Sequence, residues 1–357
     1  LREGTAKQIF HQRSESMLTR ATRVLEHISK SPNLYKTPRL TNLLKLKMNT
    51  KELTKTLLQE KDPFTDIIGQ DKVKQAVKSA LLADRHIILV GPPGIGKTTL
   101  AKNIAKILGK KTPFIRIQGS PDLTVEDLLG DIDPVKALKY GPLSIEAFTK
   151  GKIFKADKGI IFFDELNRCP EKVQNALLQV LEEKKATIGS YDVDFDIDFI
   201  FIGTMNPEDT STEKLSDVLL DRFDLIYMHY PENTNIEKNI VTDKGNKIDN
   251  VNVSDKLLEL TIHFIRLLRE DKNLEKKPSV RASLGLYERS QSNALLNKRK
   301  SVTFDDIKAV VVSVLAHRIR LKPSIKYLQS PEAYIKKQFE KNIIDSDVLE
   351  EKKGDLL

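Results

Sequence analysis

Two short stretches of this sequence hold residue types that could handle a phosphoryl group. The first, GPPGIGKT at 91–98, spaces Gly91, Gly96, Lys97 and Thr98 as Gly-x-x-x-x-Gly-Lys-Thr. Glycines at such a turn let successive backbone N–H groups curl around an anion, and a helix starting there adds the partial positive charge of its first turn. The lysine is a point charge for the β- and γ-phosphates, and the threonine offers a hydroxyl to Mg²⁺. A Gly-Pro turn that happens to precede a lysine is the bland alternative, and the strand-type run and helical pattern on either side weigh against it. The second stretch, GIIFFDELN at 159–167, runs four apolar residues into Asp164 and Glu165. Carboxylates that follow a buried strand cost free energy unless something compensates them. Beside a phosphate loop the compensation is a cation and a nucleophile. Asp164 is then expected to hold Mg²⁺, usually through water, and Glu165 to orient and activate a water against the γ-phosphate. That assignment places the acidic strand next to the strand before the phosphate loop.

The elements that must position these residues are legible as an alternation. DKVKQAVKSALLA (71–83) is an amphipathic helix with Val73, Ala76, Val77, Ala80, Leu81 and Leu82 on one stripe. Strand-type runs follow at 86–90, 114–118, 160–163, 199–203 and 225–229, with helices at 97–108 and 171–183 between them. Strands alternating with helices predict a parallel sheet covered on both faces. After Pro231 the pattern is helical throughout, at 255–269, 280–296, 303–319 and 331–341. The chain therefore divides into a basic helical extension (1–62), an α/β nucleotide-binding core (63–230), an all-α lid (231–325), and a C-terminal helix with a polar tail (326–357). Residues 1–47 are open to being non-native sequence, since Met17 and Met48 are both usable starts.

Bulk properties narrow the function classes. The formal charge is +9, but residues 1–47 carry ten Lys/Arg against three Glu, leaving 9 − 7 = +2 for the rest. A basic tail is a poor sign of a nucleic-acid groove, so nucleic acid is not the expected partner. A single cysteine, Cys169, excludes an intrachain disulfide. Neither an apolar run near 18 residues nor a basic-then-apolar leader is present, so a cytoplasmic chain without a membrane span is expected. Cys169 and the six histidines show no metal-ligand spacing and read as structural.

From about Ile67 to Leu321 the ordered motifs resemble those of the AAA+ ATPases, specifically the MoxR and magnesium-chelatase I-subunit group. IIGQDKVKQAVKSALLADRHIILVGPPGIGKT is similar to the group's entry segment, DELNR (164–168) to its DEINR, and LLGDIDPVKAL and GKIFKADKGIIFFDE to the chelatase subunit. GTMNPED (203–209) resembles the sensor-1 segment, LLDRFD (219–224) the arginine-finger segment, and SVRASLGLYERS and VTFDDIKAVVVSVLAHRIRL the lid. The resemblance implies a P-loop core with a parallel sheet followed by an all-α lid, and hydrolysis of ATP with Mg²⁺. Nucleotide contacts fall on Gly91, Pro92, Pro93, Gly94, Ile95, Gly96, Lys97, Thr98, Thr99 and Asp164, with Ile68 and Gly69 bordering the adenine. Thr98 and Asp164 would hold the metal, and Glu165 would activate water. Asn206 would contact γ-phosphate and water, Arg281 would be the sensor-2 arginine, and Arg222 would serve a neighbouring subunit's ATP. It further implies a homohexameric ring, a co-protein with a von Willebrand A-type domain, and a protein client. The helical segment 121–150 and the hairpin 185–195 correspond to insertions near the ring pore; Tyr191 and Phe195 are candidate contacts there, with period-2 packing in the hairpin the favoured reading.

Each role has a plainer reading. Asn206 could cap a turn before Pro207, Arg222 could pair with Asp221 or Asp224, and Arg168 reads equally as a surface arginine. STEKLSDVL before the finger and TMNP at sensor 1 depart from the group's pattern, and the chelatase subunit's long insertions are short or missing. Three functions remain: a ring ATPase that remodels or activates a partner protein, with metal or cofactor insertion as one such role; a nucleic-acid motor or loader on the same fold; and a nucleotide-sensing scaffold. The joint presence of Glu165, Asn206 and Arg222 argues against the last.

Overall fold

A computed structural model describes residues 54–59, 62–109, 112–141, 144–187, 194–207 and 215–344. The chain divides into two compact units, Leu1–Leu58 and Gln59–Leu357. Of the first, the structure describes only a helical turn at 54–57. All other described elements belong to the second unit.

Five strands form the main sheet of the second unit: β1 (His86–Val90), β2 (Phe114–Gln118), β3 (Gly159–Asp164), β4 (Phe199–Met205) and β5 (Phe223–Tyr227), in the spatial order β2-β3-β4-β1-β5. Every pairing is parallel. β1 and β3 are buried on both faces, which is why they read as unbroken apolar runs rather than alternating ones. Helices α1 (Asp71–Leu82), α2 (Lys97–Leu108) and α3 (Glu171–Glu183) accompany the sheet. Helix α3 buries Val173, Leu177 and Val180 in the same core as Phe163 and Phe201, whose rings stack at 5.9 Å. The stripe expected on α1 is confirmed at Val73, Val77, Ala80 and Leu81, whereas Ala76 and Leu82 are exposed.

The strand order corrects one expectation. The acidic strand β3 is not beside β1, because β4 lies between them and pairs with both. The apolar runs of β3, β4 and β1 are interchangeable in pattern, so adjacency was not encoded locally. The consequence is chemical: β4 ends between the phosphate loop and the acids, and its Thr204 and the following Asn206 enter the site from there.

The last strand runs from Phe223 to Tyr227 rather than 225–229, with Phe223 paired to His86 and Tyr227 to Val90. Beyond it come α4 (Thr234–Lys244), α5 (Asp255–Glu270), α6 (Val280–Leu296), α7 (Phe304–Leu315) and α8 (Pro331–Ile344). This region is not wholly helical as expected: Leu274–Lys276 and Arg320–Leu321 form a short antiparallel pair. Two or three residues are too few to show a period of two. Helix α7 ends four residues early and continues as a 3₁₀ turn at Ala316–Arg318. The segment expected to be helical over 121–150 contains helices at Val125–Leu129 and Pro134–Tyr140 but also an antiparallel pair, Gly130–Ile132 with Phe148–Lys150. The hairpin at 185–195 is present as Lys185–Thr187 paired with Asp194–Asp196. Tyr191, the side chain of Phe195, and the expected helices before residue 54 lie outside the described residues.

The lid packs a separate core around Phe264, Ile265, Leu286, Val311 and Phe339. Its buried polar centre is Glu237 on α4, which accepts from Arg269 Nη1 (2.6 Å) and Nη2 (2.7 Å) and from the Ser283 hydroxyl (2.5 Å). Both charges are buried, so each depends on the other for its solvation. Among the described residues no helix is long and apolar enough to cross a membrane.

Candidate functional site

A cavity of about 700 Å³ opens where the C-terminal ends of the strands meet α1, α2 and the lid. That is the size of a nucleotide-scale pocket, and this end of a parallel α/β sheet is where ligands bind. The cavity lining includes apolar side chains, among them Ile67, Ile68, Val73, Ile236, Ile240 and Leu284. The same lining carries Lys97, Thr98, Asp164, Glu165, Asn206 and Arg281.

The phosphate loop occupies the expected strand–loop–helix position. Gly96, at φ +99°, is the N-cap of α2, so the loop turns left-handed immediately before the helix whose first N–H groups face the cavity. Gly94, at φ +74°, is pressed by the lid: a Cβ there would lie 2.9 Å from Ser279 Oγ and 3.0 Å from Arg281 Cγ. Pro93, Gly94, Ile95, Gly96, Lys97, Thr98 and Thr99 all line the cavity. Gly91 and Pro92 stand behind the wall, where their carbonyls accept from Lys97 Nζ at 2.5 and 3.0 Å. Gly69 also backs the wall: Ile68 lines the cavity, and a Cβ on Gly69 would touch Ile236 at 3.1 Å. This glycine cradle, closed on one side by an arginine, fits a polyphosphate. Thr98 and Asp164 together form an all-oxygen donor set, which suits Mg²⁺.

The two acids are held by a network that extends well beyond the residues singled out from sequence. Thr204 Oγ1 donates to Asp164 Oδ1 (2.7 Å) and accepts the Glu165 N–H (2.9 Å). Arg116 Nη2 donates to Asp164 Oδ2 (2.7 Å) and to Gln118 Oε1 (3.2 Å). Gln118 Nε2 in turn donates to Glu165 Oε2 at 3.0 Å. Arg168, read from sequence as an ordinary surface residue on equal terms, places Nη1 3.0 Å from the same Glu165 oxygen. Glu165 itself sits at φ +56°, ψ +50°, a left-handed conformation that a glutamate adopts only when its surroundings impose it. Gly119 is part of the imposition: its N–H donates to the Asp164 carbonyl at 2.7 Å, and a Cβ on it would lie 2.1 Å from the Glu165 carbonyl oxygen. Arg116, Gln118, Gly119 and Thr204 were not found from sequence. The available signal was weak: arginine and glutamine two residues apart at the end of one strand, and the first hydroxyl residue after an apolar run in another.

Asn206 lies on the cavity wall, and its carbonyl accepts from the buried Asn167 amide at 3.3 Å. Arg281, the second residue of α6, reaches the cavity from the lid. Arg222 is not part of this cavity. It immediately precedes β5, the sheet's edge strand, at the end opposite the acids, and pairs with Glu182 of α3 (2.5 Å) rather than with Asp221 or Asp224. Asp224 is taken by Arg85.

Nearby titratable groups are structural. His86 is pushed down to about 4, first by burial and then by the Lys184 charge, and its Nδ1 accepts the Phe201 N–H at 3.2 Å. Burial pushes the Cys169 thiol up to about 12. Lys106 and Asn103 hold the Asp66 carboxyl below its usual range, and Asp66 also faces Lys244 of the lid at 3.7 Å. Among the described residues no group of three His, Cys, Asp or Glu could hold a further metal.

Residues 86–223 match the AAA domain (dynein-related subfamily), and residues 268–337 match the AAA lid domain. The uncharacterized protein YeaC of Bacillus subtilis is 29% identical over 284 residues, 73% of this chain and 85% of its own length. Chaperone MoxR1 of Mycobacterium tuberculosis is 28% identical over 284 residues, covering 71% and 73%. The magnesium-chelatase subunit ChlI homolog of Methanocaldococcus jannaschii is 24% identical over 330 residues, covering 73% and 86%.

Proposed function

Because this chain belongs to the AAA+ ATPases, with relatives named as a MoxR chaperone and a magnesium-chelatase subunit, we propose that it is a cytoplasmic motor that remodels or activates a partner protein. It does so as a homohexameric ring that hydrolyses ATP. The process it serves is metal or cofactor insertion, with a von Willebrand A-domain co-protein and a protein client as partners.

The observation that carries this reading is the pair Asp164 and Glu165 bridged by the Thr204 hydroxyl on the wall of a glycine-lined cavity. A nucleotide switch needs the first acid only; a hydrolase uses both. Lys97 and the N–H groups of 94–98 bind the phosphates, and the apolar side chains of the lining take the base. Thr98 and Asp164 would hold Mg²⁺, which would supply positive charge to the phosphates. Glu165 orients the attacking water and accepts its proton as the bond to the γ-phosphorus forms and the bond to the β–γ bridging oxygen breaks, releasing ADP and phosphate. Asn206 directs its amide at the same water, and Arg281 brings a cation from the lid. Arg222, at the edge of the sheet and far from its own acids, supplies the remaining charge to a neighbouring subunit. A finger delivered in trans contributes roughly 10³ to 10⁵ in rate.

The test mixes Arg222→Ala subunits, which keep Glu165, with Glu165→Gln subunits, which keep Arg222. Each is expected to be inactive alone, and the mixture recovers part of the rate by placing an intact acid beside an intact finger. A mixture as inactive as either parent, in rings shown to be mixed, overturns the role of Arg222 across the interface.

A further inference from the structure

We propose that Arg116 is a resident cation at Asp164 that Mg²⁺ has to displace, so that this side chain sets the metal affinity of the site. The proposal rests on the reading of Asp164 as the metal-binding carboxylate. Arg116 and Gln118 are two residues apart on β2, the edge strand beside β3, so both side chains project from one face of the sheet. From there the guanidinium reaches Asp164 Oδ2 at 2.7 Å, while Oδ1 is taken by the Thr204 hydroxyl at 2.7 Å. Both oxygens of the carboxylate thus already have a donor, and only one donor carries charge. The neutral hydroxyl can remain beside a bound cation. A guanidinium is driven off by it, because like charges a few ångströms apart repel at a partly buried carboxylate, whether the metal is bound directly or through water.

The burial of the pair is asymmetric in the way a displaceable group requires. The Asp164 side chain is 14% exposed, whereas the Arg116 side chain is 53% exposed. Displaced, Arg116 swings into water without leaving a buried charge behind, while Asp164 exchanges one cation for another. Its contact to the Gln118 carbonyl, at 3.2 Å, is long and easily given up.

The experiment is a calorimetric Mg²⁺ titration of the ATP complex in the Glu165→Gln form, so that no turnover intervenes. Adding Arg116→Met should tighten Mg²⁺ binding about two- to fivefold, the worth of a half-exposed ion pair, and leave the affinity for metal-free ATP unchanged. Arg116→Lys keeps a competing charge and should stay close to the parental Mg²⁺ affinity. Unchanged or weaker Mg²⁺ binding in Arg116→Met overturns the proposal, and so does an equal tightening in Arg116→Lys. Asp164→Asn separates this failure from that of the site itself. If Asp164→Asn loses Mg²⁺ affinity while Arg116→Met does not gain it, only the role of Arg116 is wrong. If Asp164→Asn binds Mg²⁺ like the parent, the assignment of the carboxylate is wrong. Arg116 is exposed on an edge strand, so a melting curve matching the parent is expected to accompany each variant.

Discussion

Gly119→Ala should uncouple ATP binding from ATP hydrolysis. Gly119 follows β2 and donates its N–H to the Asp164 carbonyl at 2.7 Å. A methyl group there would meet the Glu165 carbonyl oxygen at 2.1 Å, the Glu165 carbonyl carbon at 2.9 Å and the Asp164 carbonyl oxygen at 3.1 Å. All three are backbone atoms, so no flexible side chain can move aside. The first contact is more than about 1 Å short of ordinary van der Waals distance, so the β2 and β3 ends must separate by that order. Glu165 already holds a left-handed backbone and has little freedom to absorb the shift. Misplacing a catalytic group by about 1 Å can cost 10²-fold. We therefore expect kcat to fall by about 100-fold. Nucleotide affinity should change little, because the phosphate loop leaves from β1, separated from β3 by β4. The overpacking itself should cost about 1–3 kcal/mol of stability, which leaves a domain of this size folded. The assay is steady-state ATPase alongside equilibrium binding of a fluorescent ATP analogue, with thermal melting as the control for folding. A folded Gly119→Ala protein that turns over within threefold of the parent would refute the claim that this close approach positions Glu165.

Two further predictions concern stability. Burial, helped by the Lys184 charge, keeps His86 neutral when folded, and its folded value near 4 lies below the ordinary value of 6.5. Between those values the unfolded chain binds the extra proton, so stability is full above about pH 6.5 and is lost as pH falls toward 4. The loss reaches up to about 3 kcal/mol and should disappear from the pH profile of denaturant unfolding in His86→Phe. Glu237→Ala should strand Arg269 in the lid interior and cost about 3–5 kcal/mol, whereas Glu259→Ala, which removes an exposed partner of Lys238, should hardly move the unfolding midpoint.

Legibility from sequence tracked how local the physical demand was. The phosphate loop was readable because a backbone that wraps an anion requires glycine at set positions, and Gly94 and Gly96 both hold positive φ. Asp164 and Glu165 were readable because acids after four buried apolar residues call for compensation. Arg281 was assigned only through the resemblance of SVRASLGLYERS to the family's lid, and it lines the cavity. What failed was everything that depends on neighbours across the sheet. The insertion of β4 between β1 and β3 leaves no mark on any single strand's pattern. Gln118 and Arg116 look like ordinary polar residues at a strand end until the parallel pairing sets Gln118 opposite Asp164. Gly119 carries no positive φ that turn chemistry would have flagged, and its role comes from the closeness of another segment. The lid's short strand pair was missed because Arg320–Leu321 is two residues long.

The central claim is that one residue of this site binds phosphate and a different one drives hydrolysis, and a paired measurement on Lys97→Ala and Glu165→Gln tests it most directly. On the proposed reading Lys97 contacts phosphate in ground and transition states, so Lys97→Ala should lose ATP binding in equilibrium titration. Glu165→Gln keeps every phosphate contact and should bind ATP as the parent does, while its turnover falls by about 10²- to 10⁴-fold, the usual contribution of a positioned general base. Hydrolysis at the parental rate by Glu165→Gln, or undiminished ATP binding by Lys97→Ala, would contradict the account.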